Sequence, residues 1–94
     1  MKDKAVVIFE RQYPESKKCV DIEVPLDISA NELVTALNQT YRLGINTEDI
    51  KQCYIRCERP TILLRGDRTL RDFGVREGTI MHFSLRGMNH GTSV

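Results

Sequence analysis

One helix with both ends marked constrains this chain more than any other feature. Ser29 and Glu32 have the S-x-x-E spacing of a capping box, in which each side chain bonds the other residue's backbone N–H. Ile28 and Leu33 stand at the two ends of a hydrophobic staple. Leu33, Leu37 and Tyr41, with Ala30 and Val34 beside them, recur at i, i+4 and i+8 and make one apolar stripe. The pattern predicts a stop near Leu43, with Gly44 as the C′ residue. The rest of the chain reads as strands and turns, so the stripe must be buried against a sheet.

The strand patterns fall on both sides of the helix. Lys4 to Arg11 contains Ala5-Val6-Val7-Ile8-Phe9, a β-branched and aromatic run suited to burial on one or both faces. Tyr13 to Lys17 is a turn in which Pro14 fixes φ and Ser16 can bond the local backbone. Lys18 to Val24 alternates, with Val20, Ile22 and Val24 on one face and Cys19, Asp21 and Glu23 on the other. That is an antiparallel strand wet on one side, and it ends at Pro25.

After the helix, Ile50 to Cys57 alternates again, setting Cys53, Ile55 and Cys57 against Gln52, Tyr54 and Arg56. Glu58-Arg59-Pro60 breaks the run, Thr61 to Leu64 is a short fourth strand, and Arg65-Gly66-Asp67 turns the chain. A loop then carries Leu70, Phe73 and Val75 into the end of the core, with the Asp72 carboxylate placed to bond loop N–H groups. The last strand runs from Ile80 to Leu85, with Met81, Phe83 and Leu85 inward and Ile80, His82 and Ser84 outward. The order β-β-α-β-β-β gives an α+β fold, a mixed sheet packed on one helix. This is the β-grasp arrangement. Residues 1–87 are expected to form the domain and 88–94 a disordered tail with nothing to bury.

Ninety-four residues allow one domain and little room for a deep cleft. No run approaches the roughly 18 apolar residues of a membrane span, and Met1 to Glu10 lacks the h-region of a signal peptide. The expected location is the cytoplasm, with no direct membrane insertion. Three cysteines, an odd count, fit a reducing compartment. Cys53 and Cys57 on one strand would lie roughly 13 Å apart, too far for a single zinc, and read as core fillers. Cys19 is left as a surface thiol. No carboxylate pair, metal-ligand spacing or Gly-rich phosphate cradle appears, so neither catalysis nor a cofactor is expected.

The net charge of +1 conceals an asymmetry. Residues 1–50 carry six Lys/Arg and nine Asp/Glu, whereas residues 51–76 carry seven and three. Tyr54, Arg56, Glu58, Arg59, Arg65, Arg68 and Arg71 form the candidate partner-binding face. Such a dipolar surface suits an acidic protein partner or self-association. Nucleic acid is not expected, because Tyr54 is the only aromatic in the basic stretch that could stack a base. The bland alternative is a solvated face whose arginines pair with Glu58, Asp67 and Asp72.

Two resemblances follow from these residues. The segment from Arg68 to Arg86 resembles the last quarter of ubiquitin: without a gap, Arg68, Thr69, Leu70, Asp72, His82, Leu85 and Arg86 are identical, and Phe73, Val75, Met81 and Phe83 are conservative. Asp21-x-x-Val24-Pro25-x-x-Ile28, Glu32-Leu33-Val34-x-x-Leu37 and Leu70-x-Asp72-x-x-Val75-x-x-Gly78 resemble the YukD/EsaB family, small bacterial ubiquitin-like proteins of type VII (WXG100, ESX-like) secretion loci. The second likeness implies a non-catalytic, cytoplasmic accessory or regulatory protein that docks on other secretion components. It also implies no conjugation. A ubiquitin-like modifier or sulfur carrier is the alternative; Asn89 and His90 stand where ubiquitin has its Gly-Gly, and no lysine follows Lys51. Ubiquitin's apolar recognition patch is expected to be lost to charge around Arg56, Glu58 and Arg59.

Overall fold

The computed structural model describes residues 3–84. The elements run β1 (Lys4–Tyr13), β2 (Ser16–Pro25), α1 (Ala30–Tyr41), β3 (Ile55–Glu58), β4 (Ile62–Leu64), α2 (Leu70–Phe73) and β5 (Ile80–Ser84). The strands form one sheet in the order β2-β1-β5-β3-β4. β1 and β5 are its parallel centre, and every other pairing is antiparallel. The β-grasp expectation holds. The expected inward Leu85 and the tail from 88 onward lie outside the described residues.

The core forms where the helix stripe meets the sheet's inner face. Ala5, Val7 and Phe9 of β1, Val24 of β2, Ile55 and Cys57 of β3, Leu64 of β4 and Met81 and Phe83 of β5 are buried against Ala30, Leu33, Val34 and Leu37 of α1. Period-two alternation on the strands and the i, i+4 stripe on the helix both select these residues. Phe9 and Tyr41 close one end, their ring centroids 5.1 Å apart. β1 is buried on one face only, since Val6 remains 39% exposed.

The capping box forms as spaced: Ser29 Oγ accepts from the Glu32 N–H at 3.1 Å, and the Glu32 carboxylate accepts from the Ser29 N–H at 2.8 Å. The helix stops earlier than expected. Arg42, not Gly44, is the left-handed cap residue, with φ 54°. Turning there lets Leu43 and Ile45 drop into the core, and Asn38 latches the segment by bonding both the N–H and the C=O of Ile45.

Three further differences have local causes. The third strand begins at Ile55 rather than Ile50, because Asn46 and Asp49 fold the preceding residues into turns. Their side-chain oxygens accept from the N–H groups of Glu48 and Lys51, two residues on, an alternative to ladder bonds. The segment expected as a loop at 70–73 is the short helix α2. Thr69 caps it by accepting from the Asp72 N–H at 3.1 Å, so the hydroxyl does the work expected of the Asp72 carboxylate. The opening turn reduces to Pro14-Glu15 between the paired Tyr13 and Ser16, and it is the Gln12 amide that bonds the backbone there.

The two helix starts are stitched to each other. The Ala30 and Asn31 N–H groups donate to the carbonyls of Arg68 and Gly66, while the Leu70 and Arg71 N–H groups donate to those of Ile28 and Leu26. Groups that a lone helix start would leave unpaired are thus satisfied reciprocally.

Candidate partner-binding face

The outer face of the sheet carries the side chains that the inner face rejects. Its central row is written by the register: Cys19 of β2 pairs with Glu10 of β1, Glu10 with His82 of β5, His82 with Arg56 of β3, and Arg56 with Leu63 of β4. The row beside it runs Asp21, Ile8, Ile80, Glu58.

His82 is the hub. Its Nδ1 lies 2.8 Å from Glu10 Oε1, a hydrogen bond in which Nδ1–H donates to the carboxylate. Nε2 lies 3.5 Å from Glu58 Oε2 and makes no hydrogen bond. Glu58 in turn sits 3.8 Å from Arg56, and Glu10 3.6 Å from the Lys17 ammonium. The Cys19 thiol also reaches Glu10, at 3.9 Å. Burial pushes the Glu10 carboxyl up, but the hydrogen bond and charge of His82, with Lys17 behind them, outweigh it and hold the group below its ordinary value. Around this polar centre stand exposed apolar side chains: Val6 at 39%, Tyr54 at 43% and Leu63 at 44%. The face is mixed, apolar and charged at once.

The structure divides the seven residues that the sequence nominated. Tyr54, Arg56 and Glu58 share the outer face, and continuing the β3–β4 register places Arg65 opposite Tyr54. Arg59 occupies the turn after β3 with φ 64°. Arg68 and Arg71 belong to a different region. The Arg68 guanidinium lies 5.6 Å from the centre of the Phe73 ring. Arg71 pairs with Asp27 at 3.0 Å and Asp3 at 3.9 Å, and the Asp27 hydrogen bond raises its pKa further. Of the pairings that the solvated-face alternative proposes, Arg56 reaches Glu58 at 3.8 Å, while the salt bridges of Arg71 run across the cap region to Asp27 and Asp3.

The face also holds Glu10, His82, Val6 and Leu63, which lie outside the basic stretch or carry no charge. β1's own alternation could have flagged Val6 and Glu10, since a strand that buries Ala5, Val7 and Phe9 must turn the even residues outward. What the chain's local pattern does not contain is the meeting of Glu10 with His82, 72 residues apart.

The cysteines behave as core and surface. Burial raises the Cys53 thiol and pushes Cys57 up to about 12, which leaves both protonated and unreactive at neutral pH. Cys19 is exposed. Among the described residues no group of three His, Cys, Asp or Glu side chains could hold a metal ion.

Residues 9–83 match the family described as WXG100 protein secretion system (Wss), protein YukD. None of the curated proteins compared matches the chain. Among solved structures, a ubiquitin-like domain from tubulin-binding cofactor B is 21% identical, with a TM-score of 0.57 over 86% of this chain and 90% of that one. A protein designed on the basis of ubiquitin is 15% identical, with a TM-score of 0.58 over 87% and 88%. The ubiquitin-like domain of Plasmodium falciparum Dsk2 is 19% identical, with a TM-score of 0.52 over 84% and 96%. At these identities the structural likenesses establish a ubiquitin-like fold.

Proposed function

The chain belongs to the YukD family of the WXG100 protein secretion system, and from that premise we propose that it is a non-catalytic accessory module that docks on other proteins of the secretion machine. The match over residues 9–83 carries the reading, since it spans every element from the middle of β1 to β5. The docking surface is the outer sheet face around Tyr54, Arg56, Glu58, Leu63 and His82. Three physical features support that choice. The face is contiguous across all five strands, its exposed apolar residues contribute nothing to the core, and its charges form a patterned centre that could discriminate between partners.

Among the described residues no helix is long and apolar enough to cross a membrane. The cytoplasm is the proposed location. Arg59 and Arg65 border the face and extend its basic side, whereas Arg71 is already committed to Asp27 and Asp3.

The test is affinity capture from the native bacterium, comparing the unaltered chain with an Arg56→Glu, Leu63→Asp double variant. The expected result is recovery of WXG100-secretion components by the first and their loss with the second. Recovery of no such component overturns the function. Equal recovery by both overturns the choice of face. Capture of the chain covalently joined to another protein through its own C-terminus would instead establish the modifier reading.

A further inference from the structure

The two edges of the sheet are unequal. β4 ends one side with three residues, while β2 ends the other with ten, Ser16–Pro25, without a glycine or bulge. Among the described residues β2 pairs only with β1, so the hydrogen-bonding groups on its other side face outward along its length. Such an edge is a ready template for another strand. Its inner-face residues Val20 and Ile22 are only half-buried, although Val24 in the same row is 3% exposed. Apolar surface therefore remains at the rim.

We infer that β2 pairs antiparallel with β2 of a second copy of this chain, about a twofold axis at Val20. The charges select this arrangement. Lys17 and Lys18 stand at the start of the strand, and Asp21 and Glu23 toward its end. A parallel pairing would set lysine beside lysine and acid beside acid. The antiparallel pairing centred on Val20 sets Lys17 opposite Glu23 of the second copy, and by symmetry Glu23 opposite its Lys17. Cys19 then faces Asp21, and Lys18 faces Ile22.

Other registers are worse. Because side chains alternate in direction, only shifts that keep inner residues opposite inner residues continue the sheet. Centring the axis on Cys19 sets Lys17 opposite Asp21, but offsets it by bringing Glu15, just before β2, opposite Glu23; centring it on Asp21 brings Asp21 opposite itself. Like charges directly opposite one another are destabilising, and opposite charges are stabilising. Lysine is also a common guard on edge strands. A guard has no need of acids at the mirror positions, and here they are present. Lys17, whose side chain is 53% exposed and 3.6 Å from Glu10, has room for a second carboxylate. The outcome is a closed, isologous dimer with a ten-stranded sheet. One strand pair buries less than the roughly 1,200 Å² of a standard interface, so the dimer is weak and concentration-dependent.

The symmetry provides a test that does not depend on the secretion reading. Lys17→Glu and Glu23→Lys are each measured alone and then mixed in equal amounts, by sedimentation velocity from micromolar to millimolar concentration. Each alone sets like charges at both paired positions, so each should self-associate about tenfold more weakly than the unaltered chain. In the mixture both positions regain opposite charges, and association should return to the unaltered level. Circular dichroism of each variant checks that the fold is intact. Protection of β2 amides from exchange should rise with concentration in the unaltered chain alone and in the mixture. A chain that stays monomeric to millimolar concentration overturns the proposal. So does self-association that neither variant weakens, or that mixing fails to restore.

Discussion

The two faces of one sheet divide the labour of this protein. On the inner face β1, β3, β4 and β5 contribute residues that no solvent reaches: Val7, Phe9, Cys57, Leu64 and Met81 are all fully buried. On the outer face the same strands, one residue out of step, present Glu10, Glu58, Arg56 and His82. The inner face holds the fold together through apolar area and close packing. Of the outer ion pairs, Arg56–Glu58 is about half exposed, and such pairs contribute typically less than 1 kcal/mol each, while Glu10 and His82 are more covered, at 23% and 17%. The comparison teaches that the residues that fix the fold and those of the proposed docking face are only one position apart in sequence, so the two can be altered separately.

The sharpest way to break that comparison is to truncate an inner residue. Phe9→Ala removes a fully buried ring that packs against Tyr41, and it should lower stability by about 3–5 kcal/mol in urea or thermal unfolding. Loss of less than about 1 kcal/mol would mean that the core is not where it has been placed.

A smaller effect is expected at Thr79, the one buried polar side chain among the described residues. Its hydroxyl donates to the Arg59 carbonyl at 2.7 Å and accepts from the Arg76 N–H at 3.0 Å, tying the turn after β3 to the turn before β5. Thr79→Val keeps the shape and strands both partners. It should cost about 1–3 kcal/mol, read by the same unfolding curves, although valine is the more apolar residue.

Ser29→Ala tests the helix start and should cost about 1 kcal/mol, since it leaves the Glu32 N–H without its partner. The smallest effect belongs to the outer face. Glu10 has a folded-state pKa below the ordinary 4.5. Its contribution to stability is therefore complete above the unfolded carboxylate value and is lost as pH falls through the folded value. Glu10→Gln should accordingly be slightly less stable than the unaltered chain at pH 6 and indistinguishable from it in acid below the folded value. A difference that grows toward low pH would reverse the sign of the argument.

What could be read from the chain follows the same division. The capping box, the helix stripe and the β1–β2 alternation are local patterns, so the helix start and the inner face were legible. The helix end was not, because the pull of Leu43 and Ile45 into the core overrode the glycine signal at Gly44. The start of β3 was hidden by Asn46 and Asp49, whose side chains form turns as readily as they flank strands. α2 was hidden because four residues show no helical period, although Thr69 carried a readable capping oxygen. The outer face was legible only in part. Tyr54, Arg56 and Glu58 alternate along one short segment that leads into and through β3, but Glu10 and His82 meet through a parallel pairing that no local pattern encodes. Sequence proximity groups Arg68 and Arg71 with the candidate face, whereas their partners Phe73, Asp27 and Asp3 lie in the cap region.

The central claim is that the outer face binds and does not fold. The Arg56→Glu, Leu63→Asp double variant addresses both halves at once, as capture of WXG100-secretion components by a chain whose unfolding curve is measured in parallel. The account predicts capture reduced to background, with stability lowered by no more than about 2 kcal/mol, since the positions are exposed but the two acids introduced stand opposite each other across β3 and β4. Undiminished capture by a fully folded variant would contradict it.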